Sequence, residues 1–193
     1  MGKVFLSITM SIDGFSAGPE ISQENPLGKN GQLLHRWLFA NKQEEDEEVA
    51  ADMFNNCGAV ILGSRTYITA IDGAWQGQSP FPVPALILSS QNLKVIEGFA
   101  IVNDGIHAAL SMAKTIANGM DILVMGGANV AQQFLEADLL DEVHIHIAPI
   151  LLGSGTKLFE KDSNRIIDLT KIKVVETPGA THLFLKPIGK EIG

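Results

Sequence analysis

The stretch that decides the fold is residues 121–159, DILVMGGANVAQQFLEADLLDEVHIHIAPILLGSGTKLF. A strand, a glycine pair, a helix and a second strand follow one another in it with almost no filler. Ile122 to Met125 is an unbroken apolar run, the pattern of a parallel strand covered on both faces. Val130, Phe134 and Leu135 then repeat at helical spacing. Gly126 and Gly127 stand at the junction, where the lack of a Cβ lets the backbone turn sharply and lie close to a ligand. The helix behind them aims free N–H groups and the positive end of its dipole at the same spot. The segment reads as a nucleotide-binding βαβ unit with a seat for phosphate; the plainer reading of a glycine pair after a strand is a tight turn. The dinucleotide fingerprint G-x-G-x-x-G is missing, and no acidic residue ends a second strand about 20 residues on, which disfavours a standard Rossmann domain.

Working outward, Lys3 to Met10 reads as a strand, and SIDGFSAGPEISQENPLGKNG after it as a long irregular loop, a length that in a compact domain is usually functional or mobile. Leu33, Leu34, Trp37 and Leu38 predict a short amphipathic helix, and Gln43 to Phe54 a second one. Its acidic run, Glu44 to Glu48, falls in the first turns, where carboxylates suit the helix dipole, and is read as a solvated helix start. Ala59 to Leu62, Ala85 to Leu88 and Phe99 to Val102 are further strands, with a helix from Asp104 or Gly105 through Ala117. Ile172 to Glu176 and Thr181 to Lys186 form a closing hairpin around Pro178-Gly179. Strands alternating with helices predict an α/β fold: a mostly parallel sheet with an antiparallel C-terminal hairpin.

With 193 residues, 46% of them hydrophobic, and no Pro, Gly or Ser-rich linker, the chain is expected to form a single domain over residues 1–193. A net charge of −8 without any Lys/Arg cluster argues against nucleic acid or an anionic membrane as partner. Cys57 is the only cysteine, which excludes an internal disulfide and a thiolate zinc cluster and suits a reducing compartment. The N-terminus MGKVFLSITM alternates like a strand and lacks a signal-peptide pattern, and no apolar run has the 18 or so residues that span a bilayer. A cytoplasmic protein is the expectation.

Three strand ends carry groups suited to a phosphorylated cofactor: Gly63-Ser64-Arg65-Thr66, Ser89-Ser90-Gln91 and Gly126-Gly127-Ala128-Asn129, running into Val130. In a parallel sheet these ends share one rim, where open α/β folds bind their ligands. Arg65 can fork onto a phosphate, the serine hydroxyls can donate to one, and the glycines offer bare amides. Singly, each has a duller explanation as a solvated arginine or a turn.

Taken in order, strand-SIDG-loop, VILGSRTY, LILSSQ, LVMGGANVAQQFL and DEVHIHIAPILLGSGTKLF, the chain resembles the dihydrofolate-reductase-like fold over nearly its whole length. It is most similar to the reductase domain of bacterial riboflavin biosynthesis and the stand-alone relatives of that domain. The resemblance implies NADPH as cofactor, with Gly126 and Gly127 at the pyrophosphate and joined by a cis peptide. It places the groups near Ser64, Arg65, Ser89 and Ser90 around the adenosine 2′-phosphate, with Gly63, Thr66 and Gln91 among the cofactor-binding residues of the same rim. It also implies hydride transfer to a heterocyclic or sugar-imine substrate, such as the ribosylamino-pyrimidine of riboflavin synthesis, and a homodimer.

The chain departs from the family pattern in three places. Ser64 stands where the family usually has a basic residue, with Arg65 one position later. Met125 replaces the glutamate that in riboflavin reductases precedes the glycine pair, which counts against the riboflavin substrate. The helix matching the folate-anchoring one, QLLHRWLFA, has no acid to pair with a pterin. Asp13 is the one carboxylate in a matched loop near the nicotinamide end, a candidate proton donor or substrate anchor, although Asp-Gly is also an ordinary turn. His144 and His146 share one strand face, with His182 on the closing hairpin as a candidate neighbour; without a further ligand they are read as structural, and no metal is expected. His35, Trp37 and Trp75 lie where long loops can cover the pocket, with core packing the favoured role. The leading expectation is therefore an NADPH-dependent reductase. The alternatives are a non-catalytic nucleotide-binding protein on the same fold and a dihydrofolate or pteridine reductase.

Overall fold

The computed structural model describes residues 2–40, 42–159 and 166–188. Its centre is an eight-stranded sheet in the order β5-β4-β3-β6-β1-β7-β10-β9. These strands are β1 (Val4–Ser11), β3 (Cys57–Gly63), β4 (Ala85–Leu88), β5 (Phe99–Val102), β6 (Asp121–Gly126), β7 (Glu142–Ala148), β9 (Leu169–Glu176) and β10 (Thr181–Pro187). The pairings from β5 across to β7 are all parallel, and β10 runs antiparallel to both β7 and β9. Among the described residues no helix is long and apolar enough to cross a membrane.

The continuous apolar runs are buried on both faces, as parallel strands require. Along β3, Ala59 and Ile61 point toward α4 (Gly105–Ala117) and α5 (Ala128–Glu136), meeting Ala109, Ala113, Ala117, Ala131 and Phe134. Val60 and Leu62 point the other way, toward Tyr67 and Ile71 at and just beyond α3 (Ser64–Ala70), and toward the ring cluster of Trp75, Phe81 and Phe99. The helix α4 lies so close to β3 that a Cβ on Gly58 would come within 2.7 Å of the Ala117 Cα. The result is a sheet with a layer on each side.

Three expectations change. The loop after β1 is not wholly irregular: β2 (Phe15–Ala17) pairs antiparallel with β8 (Thr156–Lys157) in a small second sheet. Strands this short show no periodicity, and the partners, Phe15 with Lys157 and Ala17 with Thr156, are far apart in the chain. The acidic run at the start of α2 (Glu44–Asn55) is solvated except at Asp46, which is 1% exposed. One Asp46 oxygen accepts the Gln43 amide at 2.9 Å, and the other accepts from His182 and Thr177, so long-range partners pull this one carboxylate inside. The predicted first helix is a 3-10 turn (Gly31–His35) leading into α1 (Arg36–Phe39), with Trp37 1% exposed.

Candidate functional site

The carboxyl ends of β3, β4, β5 and β6, with β8 facing them, open a cleft of about 810 Å³. Of the residues expected at the cofactor, Gly63, Ser64, Arg65, Thr66, Ser89, Ser90, Gly127, Ala128, Asn129 and Val130 line it, whereas Gln91 and Gly126 do not. Ser89 explains the position of Gln91. Its hydroxyl donates to the Gln91 carbonyl at 2.9 Å and accepts the Gln91 amide at 3.0 Å, while the Asn103 amide group donates to the Ser89 carbonyl. That turn folds Gln91 away and leaves Ser90 on the cleft.

The helices α3, α4 and α5 all begin at this cleft, following Gly63, Asp104 and Gly127, and none has a side-chain cap. Their first-turn amides are therefore available to an anionic ligand, which the helix dipoles also favour. The Gly126–Gly127 peptide is cis, as the family resemblance implied. Gly126 has φ +98°, a region that only glycine occupies easily. Gly127 is different: its φ is −62°, and a Cβ there would meet nothing nearer than the Thr66 Oγ1 at 3.6 Å. Packing does not demand a glycine at 127. The Gly127 amide donates to the Thr66 hydroxyl at 3.3 Å, which ties the start of α3 to the turn.

The cleft lining contains Arg65 and Lys157 and no carboxylate, in a chain with 22 acids against 14 Lys and Arg. A local field opposite to that of the whole molecule marks a place for anions. Sequence reasoning missed Asn103, Gly105, Gln132 and Lys157. The helix start at Gly105 follows β5 in the same way as the recognised turns follow β3 and β6, so the same reasoning could have found it. Lys157 had no such signal, because it reaches the cleft through the two-residue strand β8.

Asp13 lies outside the cleft lining. Its two oxygens accept the Leu152 and Gly153 amides at 3.1 and 2.7 Å. The Ser11 hydroxyl, together with these amides, holds its carboxyl below the usual range. A carboxylate kept ionised by such donors is a poor proton donor, and the geometry gives Asp13 the work of fastening the loop after β7 to the loop after β1. Met125 packs beside the cluster around Phe5 and Leu62.

The histidines form a separate polar system beneath α2. Ser7 Oγ lies 2.9 Å from His146 Nε2, His146 Nδ1 lies 2.8 Å from His182 Nδ1, and His182 Nε2 lies 2.9 Å from Asp46 Oδ1. With both rings neutral and the Ser7 hydrogen, which also has Met53 Sδ at 3.0 Å, turned to His146, one direction satisfies every ring nitrogen: Ser7 donates to His146, His146 to His182, and His182 to Asp46. Trp37 covers both rings at centroid distances of 4.7 and 4.8 Å. Burial pushes the His146 pKa well down and lowers that of His182 against the pull of Asp46. Burial raises that of Asp46, but the Gln43 amide, His182 and Thr177 outweigh it and keep the carboxylate ionised. His144 stands apart, bonded to Glu142 at 2.8 Å between the rings of Phe5 and Phe184. Both nitrogens of His146 and of His182 are taken by partners within the protein, and among the described residues no group of three or more His, Cys, Asp or Glu is placed to hold a metal.

The family model for the RibD C-terminal domain matches residues 2–183. Among similar proteins, the uncharacterised YwjB of Bacillus subtilis is 27% identical over 177 residues, which are 91% of this chain and 90% of that one. A putative riboflavin biosynthesis protein from Shewanella sp. PV-4 superimposes with a TM-score of 0.72 at 21% identity, covering 96% of this chain and 99% of the other. Dihydrofolate reductase from Enterococcus faecalis, solved in complex with NADP(H), gives a TM-score of 0.61 at 14% identity over 96% of both chains, so the fold is dihydrofolate-reductase-like.

Proposed function

The chain belongs to the RibD C-terminal domain family, and from that premise we propose that it is an NADPH-dependent reductase of a small heterocyclic or sugar-linked substrate. The observation that carries this reading is the cleft: uncapped helix starts, a glycine that packing does not require, and two cations without a carboxylate. These features fit a dinucleotide. Gly127 and the first turn of α5 would take its diphosphate, while Ser64, Arg65 and Ser90 would take the 2′-phosphate at the β3 and β4 ends. The bound nicotinamide supplies the hydride, so the protein is left to orient two flat molecules and exclude water. Asp13 acts in this scheme as a positioning residue that fixes the loop over residues 150–155. A cytoplasmic homodimer fits the same reading, given the lone buried Cys57 and the exposed Ile172 and Val174 on the outermost strand.

The test is NADPH oxidation, followed with a panel of ribosylamino-pyrimidines and pterins as acceptors. Turnover with one of them is expected. Binding of NADPH without turnover on any acceptor would favour a nucleotide-binding protein that has lost its chemistry, and failure to bind either NADPH or NADH at millimolar concentration would overturn the cofactor assignment.

A further inference from the structure

The cleft has a second cation to which the reading above assigns no part of the ligand. Lys157 sits on β8, and its position is fixed from two sides. The β2 strand pairs with it, Phe15 opposite Lys157, and places the ammonium 5.9 Å from the centre of the Phe15 ring. From the other side, the buried side chain of Gln132 donates to the carbonyl of the adjacent Leu158 at 2.6 Å. Gln132 lies on α5 one turn beyond Ala128, so this bond holds β8 against the beginning of that helix. Arg65, by contrast, belongs to α3 at the end of β3, the strand next to β6. The two cations thus come to the cleft that Gly127 lines from different elements, Arg65 from α3 and Lys157 from β8.

We propose that Lys157 is a binding residue for the dinucleotide's diphosphate, closing over it from β8 while the first-turn amides of α5, beside the bare Gly127, hold it from the sheet side. This inference rests on the cofactor reading given above. It divides the labour between the cations: Lys157 answers to the diphosphate, common to NADPH and NADH, and Arg65 to the 2′-phosphate, which only NADPH carries. Gln132 is a positioning residue that acts through β8.

The experiment measures dissociation constants of NADPH and NADH for wild type, Lys157→Met and Arg65→Ala at two salt concentrations. Methionine keeps an unbranched stem beside Phe15, and circular dichroism checks the fold. Lys157→Met is expected to weaken both cofactors equally, by about 10-fold, and to flatten the salt dependence of both. Arg65→Ala is expected to weaken NADPH by roughly 10-fold or more while leaving NADH nearly unchanged. If wild type binds and Lys157→Met leaves both constants unchanged, or weakens NADPH alone, the role given to Lys157 is wrong while the cofactor reading stands. If wild type binds neither cofactor, both fall. Gln132→Ala provides a second check: combined with Lys157→Met it should add little to the loss from the lysine alone, and full additivity would contradict its positioning role.

Discussion

The cleft and the histidine chain under α2 are two polar regions of this molecule built on opposite rules. In the chain, each donor has found an acceptor: Ser7, His146, His182, Asp46 and Thr177 bond to one another and Trp37 seals them in. In the cleft, helix starts lack caps and Arg65 and Lys157 face no carboxylate across the lining. Both regions contain residues that a reader of sequence would mark as chemical. What separates them is whether the protein completes its own hydrogen bonds: a closed circuit fixes the fold, and an open one is left for a ligand.

The largest expected effect comes from closing the cleft. Gly127→Asp puts a carboxylate where the diphosphate is proposed to lie; at about 4 Å and an effective dielectric near 20 the repulsion is about 4 kcal/mol, so NADPH binding should weaken by about 1,000-fold. The φ of −62° and the room around Gly127 mean that the variant should fold, which thermal melting will check. Unchanged affinity would place the ligand elsewhere. The mirror experiment opens the circuit. Asp46→Ala leaves the donors of Gln43, His182 and Thr177 without their acceptor and should cost about 2–4 kcal/mol in denaturant unfolding. The NADPH dissociation constant of the folded fraction should stay within about 2-fold, and a large change there would show that the two regions are coupled.

Acid sharpens the same contrast. Burial holds His146 and His182 below the ordinary value of 6.5 and brings His35 down to about 4. The unfolded chain therefore takes up protons first as the pH falls. Stability should be level above about pH 7 and decline steadily below about pH 6.5, toward pH 4. Asp46, lowered in the fold, adds its own loss at still lower pH. Denaturant midpoints across this range would show it, and a level profile down to pH 5 would mean that the imidazoles are not held neutral.

A smaller effect separates two roles for Asp13. As a loop fastener it should lose only a few-fold of turnover as Asp13→Asn, with an unshifted pH profile, because the amide oxygen can still accept one of the two backbone amides. Near-complete loss of turnover would restore it as the proton donor.

How much of this was legible beforehand follows from the range of the interactions involved. The βαβ unit at residues 121–148 was plain because apolar runs and a glycine pair are local signals, and the rim turns at Gly63 and Gly127 followed from sheet geometry. Asp46 was misread because helix position says where a carboxylate prefers to be, whereas its partners His182 and Thr177 arrive from more than 130 residues away. Lys157 was invisible for the same reason, carried to the cleft by a two-residue strand and a single glutamine. Ser89 was legible as a rim residue, but the turn that occupies its hydroxyl was not.

The central claim is that the open circuit, and not the closed one, receives the dinucleotide. Hydrogen exchange read by mass spectrometry, with and without saturating NADPH, tests it directly. Protection should appear in peptides covering residues 63–66, 127–133 and 155–158, with no change around Asp46, His146 and His182. Protection centred on α2 and the C-terminal hairpin, with none at the glycine turn, would contradict the account.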